Sequence, residues 1–180
     1  LNRRNFLARG TAAVVGTLGW LNAPALLEAA EPASKTRIRI VYALHGEQQT
    51  GPDWPNKGFD FRPVMDRING ELVRQCKGFE FVPSMANGEE QAKKLLEQDK
   101  AAGGIDGYLV YQMNCWNRVV QTLATSGKPV LYADFQFGGS GGFLVYNAAF
   151  LRSQANNVGF VASSDIKDLA AAVKCFNVVK

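Results

Sequence analysis

The sequence predicts an α/β fold in which a parallel five-stranded sheet carries helices on both faces. Five short apolar segments alternate with segments in which apolar residues recur every three or four positions, so strands and helices follow one another. The centres of the apolar segments hold few polar residues, which indicates strands that are covered on both sides. About 150 residues remain after the N-terminal segment, enough for one domain with a sizeable core.

The predicted strands are short and are bounded by loop-forming residues. The first, RIRIVYAL, alternates polar and apolar residues and then becomes fully apolar. The segments FEFVP, IDGYLVYQ, PVLYAD and VGFVA follow in order, each with an apolar centre. The five strands are therefore predicted at residues 37–44, 79–83, 105–112, 129–134 and 158–162.

The first predicted helix is the most regular. Pro63 suits its first turn, and Val64, Ile68 and Leu72 recur every four residues, with Val73 beside them. This pattern predicts one buried helix face that ends near Gly78, a residue typical of helix C-termini.

The other helices are predicted from their N-terminal residues. Asn87 and Glu90 have the spacing of a capping box, and Asn114 is predicted to cap the third helix. Ser163, Ser164 and Asp165 are predicted to cap the last one. These helices are placed at residues 88–102, 114–127, 144–153 (the weakest of them) and from residue 163 onward.

The alternation of elements restricts the topology. Crossovers between parallel strands of one sheet are right-handed almost without exception. With five strand–helix units, the commonest strand order is 2-1-3-4-5, which is the flavodoxin-like arrangement. We therefore predict a doubly wound, flavodoxin-like α/β domain over residues 34–180.

Residues 1–33 are predicted to be an export signal and linker. Arg3 and Arg4 precede Phe6 and Leu7, which resembles the bacterial twin-arginine pattern, and small-residue cleavage sites follow a short apolar stretch. The stretch is shorter than the roughly 20 apolar residues of a spanning helix, although an uncleaved anchor remains an alternative. The expected location is the periplasm or the cell exterior, with the Tat translocon as a partner during export and a membrane tether if the signal is uncleaved.

Charge and composition limit the classes of partner and metal site that the chain could have. Cleavage after Ala30 would leave 17 basic and 15 acidic residues, and no Lys/Arg run suggests a nucleic-acid partner. Cys76, Cys115 and Cys175 are widely spaced and are predicted to be free thiols, with one disulfide in an oxidising compartment as the alternative. Because His45 is the single histidine, no metal site is predicted in this chain.

The topology also predicts where a ligand binds. In such sheets, ligands bind outside the carboxyl ends of the strands, where the strand order reverses, so the loops after strands one, three and four are expected to converge. Carboxylates and amides bind hydroxyl groups, and a tryptophan face can stack on a sugar ring. The predicted substrate-binding residues are His45, Glu47, Gln48, Gln112, Asn114, Trp116, Asp134 and Gln136. Asn114 could equally be only a helix cap, and Trp116 could equally be only a core residue, without a role in ligand binding.

The sequence gives weaker support for a catalytic or nucleotide-binding site than for a substrate-binding site. His45 and Glu47 could act as an acid/base pair, and Cys115 could be a nucleophile. The run Gly138-Gly139-Ser140-Gly141-Gly142 follows the fourth strand, whereas a dinucleotide-binding fingerprint follows the first. The run therefore indicates a mobile lid, or a close backbone approach to a ligand or a neighbouring subunit.

The stretch IDGYLVYQMNCWNRVVQTLATSGKPVLYADFQFGGSG resembles the first domain of the L-fucose and L-arabinose isomerase group. The resemblance extends over about residues 37–180 and implies a domain that supplies substrate and subunit contacts for aldose–ketose isomerisation. In that group a later domain supplies the metal ligands. This chain alone is therefore expected to be inactive and without a cofactor, as a fragment of a longer homo-oligomeric protein that could use Mn²⁺.

Two other functions remain open at this stage. The same strand–helix pattern occurs in one lobe of periplasmic sugar-binding proteins, which are not enzymes. A flavodoxin-like electron carrier is the third possibility, and it predicts a yellow, FMN-containing protein.

Overall fold

A computed structural model describes residues 35–51, 55–136 and 138–178. The predicted export signal lies outside these residues, and the described residues belong to one compact unit. The strands are Thr36–Ala43 (β1), Phe79–Ala86 (β2), Gly107–Gln112 (β3), Val130–Asp134 (β4) and Val158–Val161 (β5). The helices are Arg62–Gln75 (α1), Glu89–Ala102 (α2), Val119–Ala124 (α3), Ser140–Arg152 (α4) and Ile166–Val173 (α5), followed by the 3-10 helix Lys174–Asn177.

The five strands form one parallel sheet in the order β2-β1-β3-β4-β5. This confirms the predicted flavodoxin-like α/β fold. In the centre of the sheet, Ile40 of β1 lies between Pro83 of β2 and Leu109 of β3. The carboxyl ends of β1, β3 and β4 therefore reach the same edge, where ligands bind in sheets of this topology.

Alternating side chains of the strands build two separate cores, one on each face of the sheet. On one face, Ile40 and Leu109 pack with Leu72 of α1 and Val173 of α5. On the other face, β-strand residues such as Val110 pack against α2, α3 and α4. Burial of apolar surface at about 25 cal/mol per Å² on both faces is the main stabilising contribution to the sheet.

Two of the three predicted helix caps are wrong. The N-cap of α2 is Gly88, and the main-chain amide of Asn87 instead donates to Gln91 Oε1 at 2.9 Å. Asn114 does not cap α3, which begins five residues later, where the Asn117 side chain accepts from the Val119 amide. Both predictions fail because these asparagines have other partners. The Asn87 amide is bound by the Gln91 side chain, and the Asn114 side chain bonds residues of the loop after β1.

The third predicted cap is confirmed, since Asp165 accepts from the Lys167 amide at 2.9 Å. Two further details differ from the prediction. Val73 is 56% exposed because it lies about 100° around the helix from Leu72. Helix α4 begins at Ser140, inside the glycine-rich run, because those glycines pack against the loop that follows β3. None of the helices in the described part of the chain is long and apolar enough to cross a membrane.

Candidate functional site at the carboxyl edge of the sheet

A cleft of about 540 Å³ opens at the carboxyl edge of the sheet, between α1 and the loops that follow β4 and β5. Apolar side chains form part of its wall, and carboxylate, hydroxyl, amide and guanidinium groups form the rest. Its lining residues are Val64, Arg67, Ile68, Glu71, Tyr111, Asp134, Phe135, Gln136, Ser163, Ser164, Asp165 and Ile166. The cleft thus combines hydrogen-bond donors and acceptors with apolar contact surface.

Asp134 is the buried acidic group of the cleft. It is the last residue of β4, and each of its carboxylate oxygens lies 3.1 Å from the hydroxyl of Ser140. Burial raises the pKa of Asp134, and the hydrogen bond from Ser140 opposes that shift. One hydroxyl donor does not use the full acceptor capacity of a carboxylate, so Asp134 can accept from a ligand as well.

The raised pKa of Asp134 predicts how stability depends on pH. The folded state binds the Asp134 proton more tightly than the unfolded state, so this residue's contribution to stability falls as pH rises from its unfolded pKa to its folded pKa. We expect Asp134→Asn to raise the free energy of unfolding at neutral pH, by about 1.4 kcal/mol per unit of pKa shift, and to leave it unchanged at pH values below the unfolded pKa.

Urea denaturation of both proteins across acidic to neutral pH measures this difference. A gap that is independent of pH would contradict the assignment of the raised pKa to Asp134. Glu80→Gln, on the exposed surface of β2, is the control for removing a carboxylate outside the cleft.

Tyr111 and Arg67 line the same cleft. Burial raises the pKa of the Tyr111 hydroxyl, the nearby Asp134 charge adds to the shift, and Arg67 opposes it. Tyr111 therefore keeps its proton at neutral pH and can donate to a ligand. Arg67 is exposed on α1, so its guanidinium supplies a second, charged donor.

The loop between β5 and α5 is held in place by its own hydrogen bonds. The Ser163 hydroxyl donates to Asp168 Oδ2 at 2.7 Å and accepts from the Asp165 amide at 3.1 Å. Asp165 in turn caps α5. This rim of the cleft is therefore ordered by contacts within the chain before any ligand arrives.

The predicted crevice between β1 and β3 is filled by side chains of the chain itself. Gln112 is fully buried, donates to the carbonyl of Asn114 and accepts from the Tyr132 hydroxyl at 2.7 Å. Asn114 accepts from the His45 amide at 2.9 Å and donates to Gln49 Oε1 at 3.0 Å. Asn114 thus connects the loops after β1 and β3, and Gln112 connects the β3 loop to β4, at the position predicted for a ligand.

The glycine-rich run packs against the end of β3 and the loop after it, and so occupies the rest of the same crevice. A Cβ atom at Gly139 would overlap the carbonyl group of Gln112, and one at Gly138 would lie 2.5 Å from the Met113 carbonyl oxygen. The Cys115 thiol accepts from the Gly142 amide at 3.3 Å. Of the alternatives predicted for this run, the structure shows a close backbone approach, and its partner is the chain's own β3 loop.

The remaining predicted residues lie outside the cleft. Glu47 Oε2 is 3.9 Å from Arg62 Nη1, and the Gln48 backbone pairs with Asp60. The His45 side chain is exposed. Trp116 is 64% exposed and packs edge-on against Tyr146, with ring centroids 6.1 Å apart. Of the eight predicted residues, the cleft therefore contains only Asp134 and Gln136.

Sequence reasoning missed Arg67, Glu71 and Tyr111. The rule used to choose candidates selects loops that follow strands, whereas Arg67 and Glu71 lie within α1. Tyr111 precedes Gln112 in β3, and its side chain points to the opposite face of the sheet. Helical spacing could have placed Arg67 and Glu71, four residues apart, on one side of α1.

The cysteines and acidic side chains form no metal-binding cluster in the described part of the chain. Cys76, Cys115 and Cys175 are free, as predicted. Burial raises the pKa of the Cys76 thiol, which reduces its nucleophilicity at neutral pH. Within residues 35–51, 55–136 and 138–178, no group of three or more His, Cys, Asp and Glu side chains is arranged to hold a metal ion.

The fold and the cleft define a flavodoxin-like α/β domain with a candidate small-molecule site at the carboxyl edge of its sheet. No protein-family model matches the chain, and a comparison with curated proteins gives no significant match.

Proposed function

We propose that the carboxyl-edge cleft binds a sugar or another polyol. The observation that carries this proposal is that Asp134, a buried carboxylate residue at the end of β4, lines the cleft together with Arg67 and Gln136. Each hydroxyl of a polyol is both a donor and an acceptor, so it fits a site that offers carboxylates beside amide and guanidinium groups.

The apolar part of the cleft supports the same class of ligand. Ile68, Phe135 and Ile166 lie among the polar groups and can contact the C–H face of a sugar ring. A volume of about 540 Å³ lies within the usual range of small-molecule sites, which is roughly 300–1,000 Å³.

The wider proposal is that this domain supplies substrate and subunit contacts in an exported, sugar-isomerase-like protein. The resemblance of residues 105–141 to the L-fucose and L-arabinose isomerase group supports it. The Mn²⁺ ligands and the aldose–ketose chemistry would then belong to residues outside this chain. A non-enzymatic sugar-binding module is the second candidate, and the cleft favours it equally, because polyol binding there needs no metal.

A flavin-binding electron carrier is a weaker candidate. In flavodoxin-like folds FMN binds at the β1/β3 switch point. In this chain, Gln112, Asn114 and the backbone of Gly139 occupy that position. A yellow preparation with stoichiometric FMN would reverse this preference.

Isothermal titration calorimetry with a panel of aldoses and polyols tests the proposed ligand class. We expect saturable binding by the wild-type chain and at least about tenfold weaker binding by Asp134→Asn, since a hydrogen bond to a charged group contributes about 1.5–3 kcal/mol. Glu80→Gln, which removes a carboxylate far from the cleft, should bind like the wild type.

The same titrations distinguish the two candidate functions. Tight binding by this chain without metal favours the binding module, whereas weak binding by this chain that strengthens with Mn²⁺ only in a longer protein carrying the metal ligands favours the isomerase. Conversion of an aldose by this chain alone would contradict the view that other residues carry the chemistry. Absence of binding across the panel, or equal binding by Asp134→Asn, would overturn the assignment of the cleft.

A further inference from the structure

One surface of the domain is almost free of charge. Residues 135–164, which include α4 and β5, contain a single charged residue, Arg152. By contrast, α1 carries five charged residues and α2 carries seven. Charged residues are normally spread over the exposed surface of a soluble domain, so their scarcity on two neighbouring elements needs a physical explanation.

The same elements expose large apolar side chains. On α4, Leu144 is 66% exposed and Leu151 is 62% exposed, and on β5 Phe160 is 48% exposed. Leu144 and Leu151 are seven residues apart and therefore lie on one side of the helix. We call the surface formed by Leu144, Leu151 and Phe160 the α4–β5 face.

Contacts on the opposite side of α4 orient this row of leucines. Tyr146 packs against Trp116, so that side of α4 faces the loop before α3. Leu144 and Leu151 lie about 140–160° around the helix from Tyr146, on the side away from that contact. Asn147 lies on the same side, and its buried Oδ1 has no hydrogen-bond partner among the described residues.

β5 completes the surface as an unprotected edge strand. Within the described part of the chain, β5 pairs with β4 on one side and no strand pairs with its other side. Proteins usually protect such edges with charged residues, proline or a bulge, but the segment VGFV and its neighbours from 153 to 164 have no charge and no proline. Its outward N–H and C=O groups are therefore available to another strand.

We propose that the α4–β5 face joins two copies of this chain about a two-fold axis, with the two β5 edges side by side and antiparallel. In such a contact each surface meets its own equivalent, so an uncharged, apolar surface is complementary to itself and brings no like charges together except Arg152. A partner selected by charge would find little to recognise here. This inference does not depend on what the cleft binds.

A membrane surface fits this face less well than a second copy. Helices that lie in the membrane interface combine an apolar side with a polar side rich in lysine and arginine. Helix α4 has only Arg152, at its last position, and the strand edge requires a hydrogen-bonding partner that lipid does not provide.

Sedimentation velocity over a range of protein concentrations tests the proposal. We expect a monomer–dimer equilibrium for the wild-type chain. Leu151→Lys and Phe160→Lys, on two different elements, should each raise the dimer dissociation constant at least about tenfold, because a charge would be buried at the centre of the contact. Val73→Lys is the matched control, since Val73 is 56% exposed on α1, away from this face.

Circular dichroism checks that the variants remain folded, and hydrogen exchange tests whether β5 is part of the contact. All three variants should keep the far-ultraviolet spectrum of the wild type, and β5 amides of the wild type should become more protected as the concentration rises. A chain that stays monomeric at all concentrations would overturn the proposal. So would a dimer that both lysine variants leave intact, or a monomer that binds vesicles of anionic phospholipid through this face.

Discussion

Replacing Gly139 with alanine is expected to destabilise the protein by about 3 kcal/mol or more. A Cβ at this position would lie 2.6 Å from the carbonyl carbon of Gln112 and closer still to its oxygen. The obstructing atoms belong to the backbone, at the end of a buried central strand, so they cannot move aside as a flexible side chain could. Overpacking in a well-packed core commonly costs 1–3 kcal/mol, and this overlap involves a rigid backbone partner.

Gly141 provides a matched control only two residues away. An added Cβ there would meet the Cys115 sulfur at 3.5 Å, which is ordinary van der Waals contact, and Gly141 is exposed in the first turn of α4. Gly141→Ala should be neutral or should stabilise by up to about 1 kcal/mol, because alanine favours the helix more than glycine does. Both substitutions are Gly→Ala in the same helix start, so their difference reports the Gln112 contact.

Thermal and urea denaturation of the two variants measure these effects. Equal stabilities for Gly139→Ala and Gly141→Ala would show that α4 does not pack on the β3 loop as described.

The architecture could be predicted from the sequence because it depends on local patterns. Five apolar segments and the helical periodicity between them give the number and the order of the elements, and the preference for the 2-1-3-4-5 order gives the topology. The start of α4 could not be predicted, because it depends on a contact between Gly139 and Gln112, which are far apart in sequence. A glycine run is compatible with a lid, a turn or a close packing contact, and only the three-dimensional structure distinguishes them.

The candidate site was predicted less well, for a specific reason. The rule for parallel sheets points to the edge at which the cleft opens, and Asp134 and Gln136 line that cleft. It does not indicate whether a polar side chain at that edge faces a ligand or another loop. Gln112 instead binds the Asn114 carbonyl and Tyr132 of β4, and Asn114 binds Gln49 in the loop after β1, so both side chains are buried within the chain. Long-range pairing of amides leaves no periodic signal in a sequence.

The same limitation applies to Asp99, whose role is visible only in the structure. In the sequence it is one of seven charged residues of α2, yet it lies seven residues after the buried Ala92 and is itself 3% exposed. Arg39 of β1 donates from Nε to both carboxylate oxygens of Asp99, at 2.9 and 2.7 Å. The pKa of the neighbouring Tyr108 hydroxyl is raised, mainly by burial and further by the negative charge of Asp99.

Asp99→Ala is accordingly expected to cost about 3–5 kcal/mol of stability. The substitution leaves the largely buried guanidinium of Arg39 without its counter-charge, and removing one member of a buried ion pair has effects of this size. Replacing both members, with Arg39→Met and Asp99→Leu together, should recover most of the loss, because no uncompensated charge remains buried.

Arg37 and Glu80 form the control pair. This pair joins β1 to β2, with Arg37 Nε 2.8 Å from Glu80 Oε1, whereas Arg39 and Asp99 join β1 to α2. Both side chains of the Arg37–Glu80 pair are 40% or more exposed. Glu80→Ala should therefore cost no more than about 1 kcal/mol, since solvent screens exposed ion pairs. Equilibrium urea denaturation of the four proteins measures these differences. If Asp99→Ala and Glu80→Ala destabilised equally, burial would not determine the strength of the Arg39–Asp99 pair, and α2 would be held on the sheet mainly by its apolar contacts.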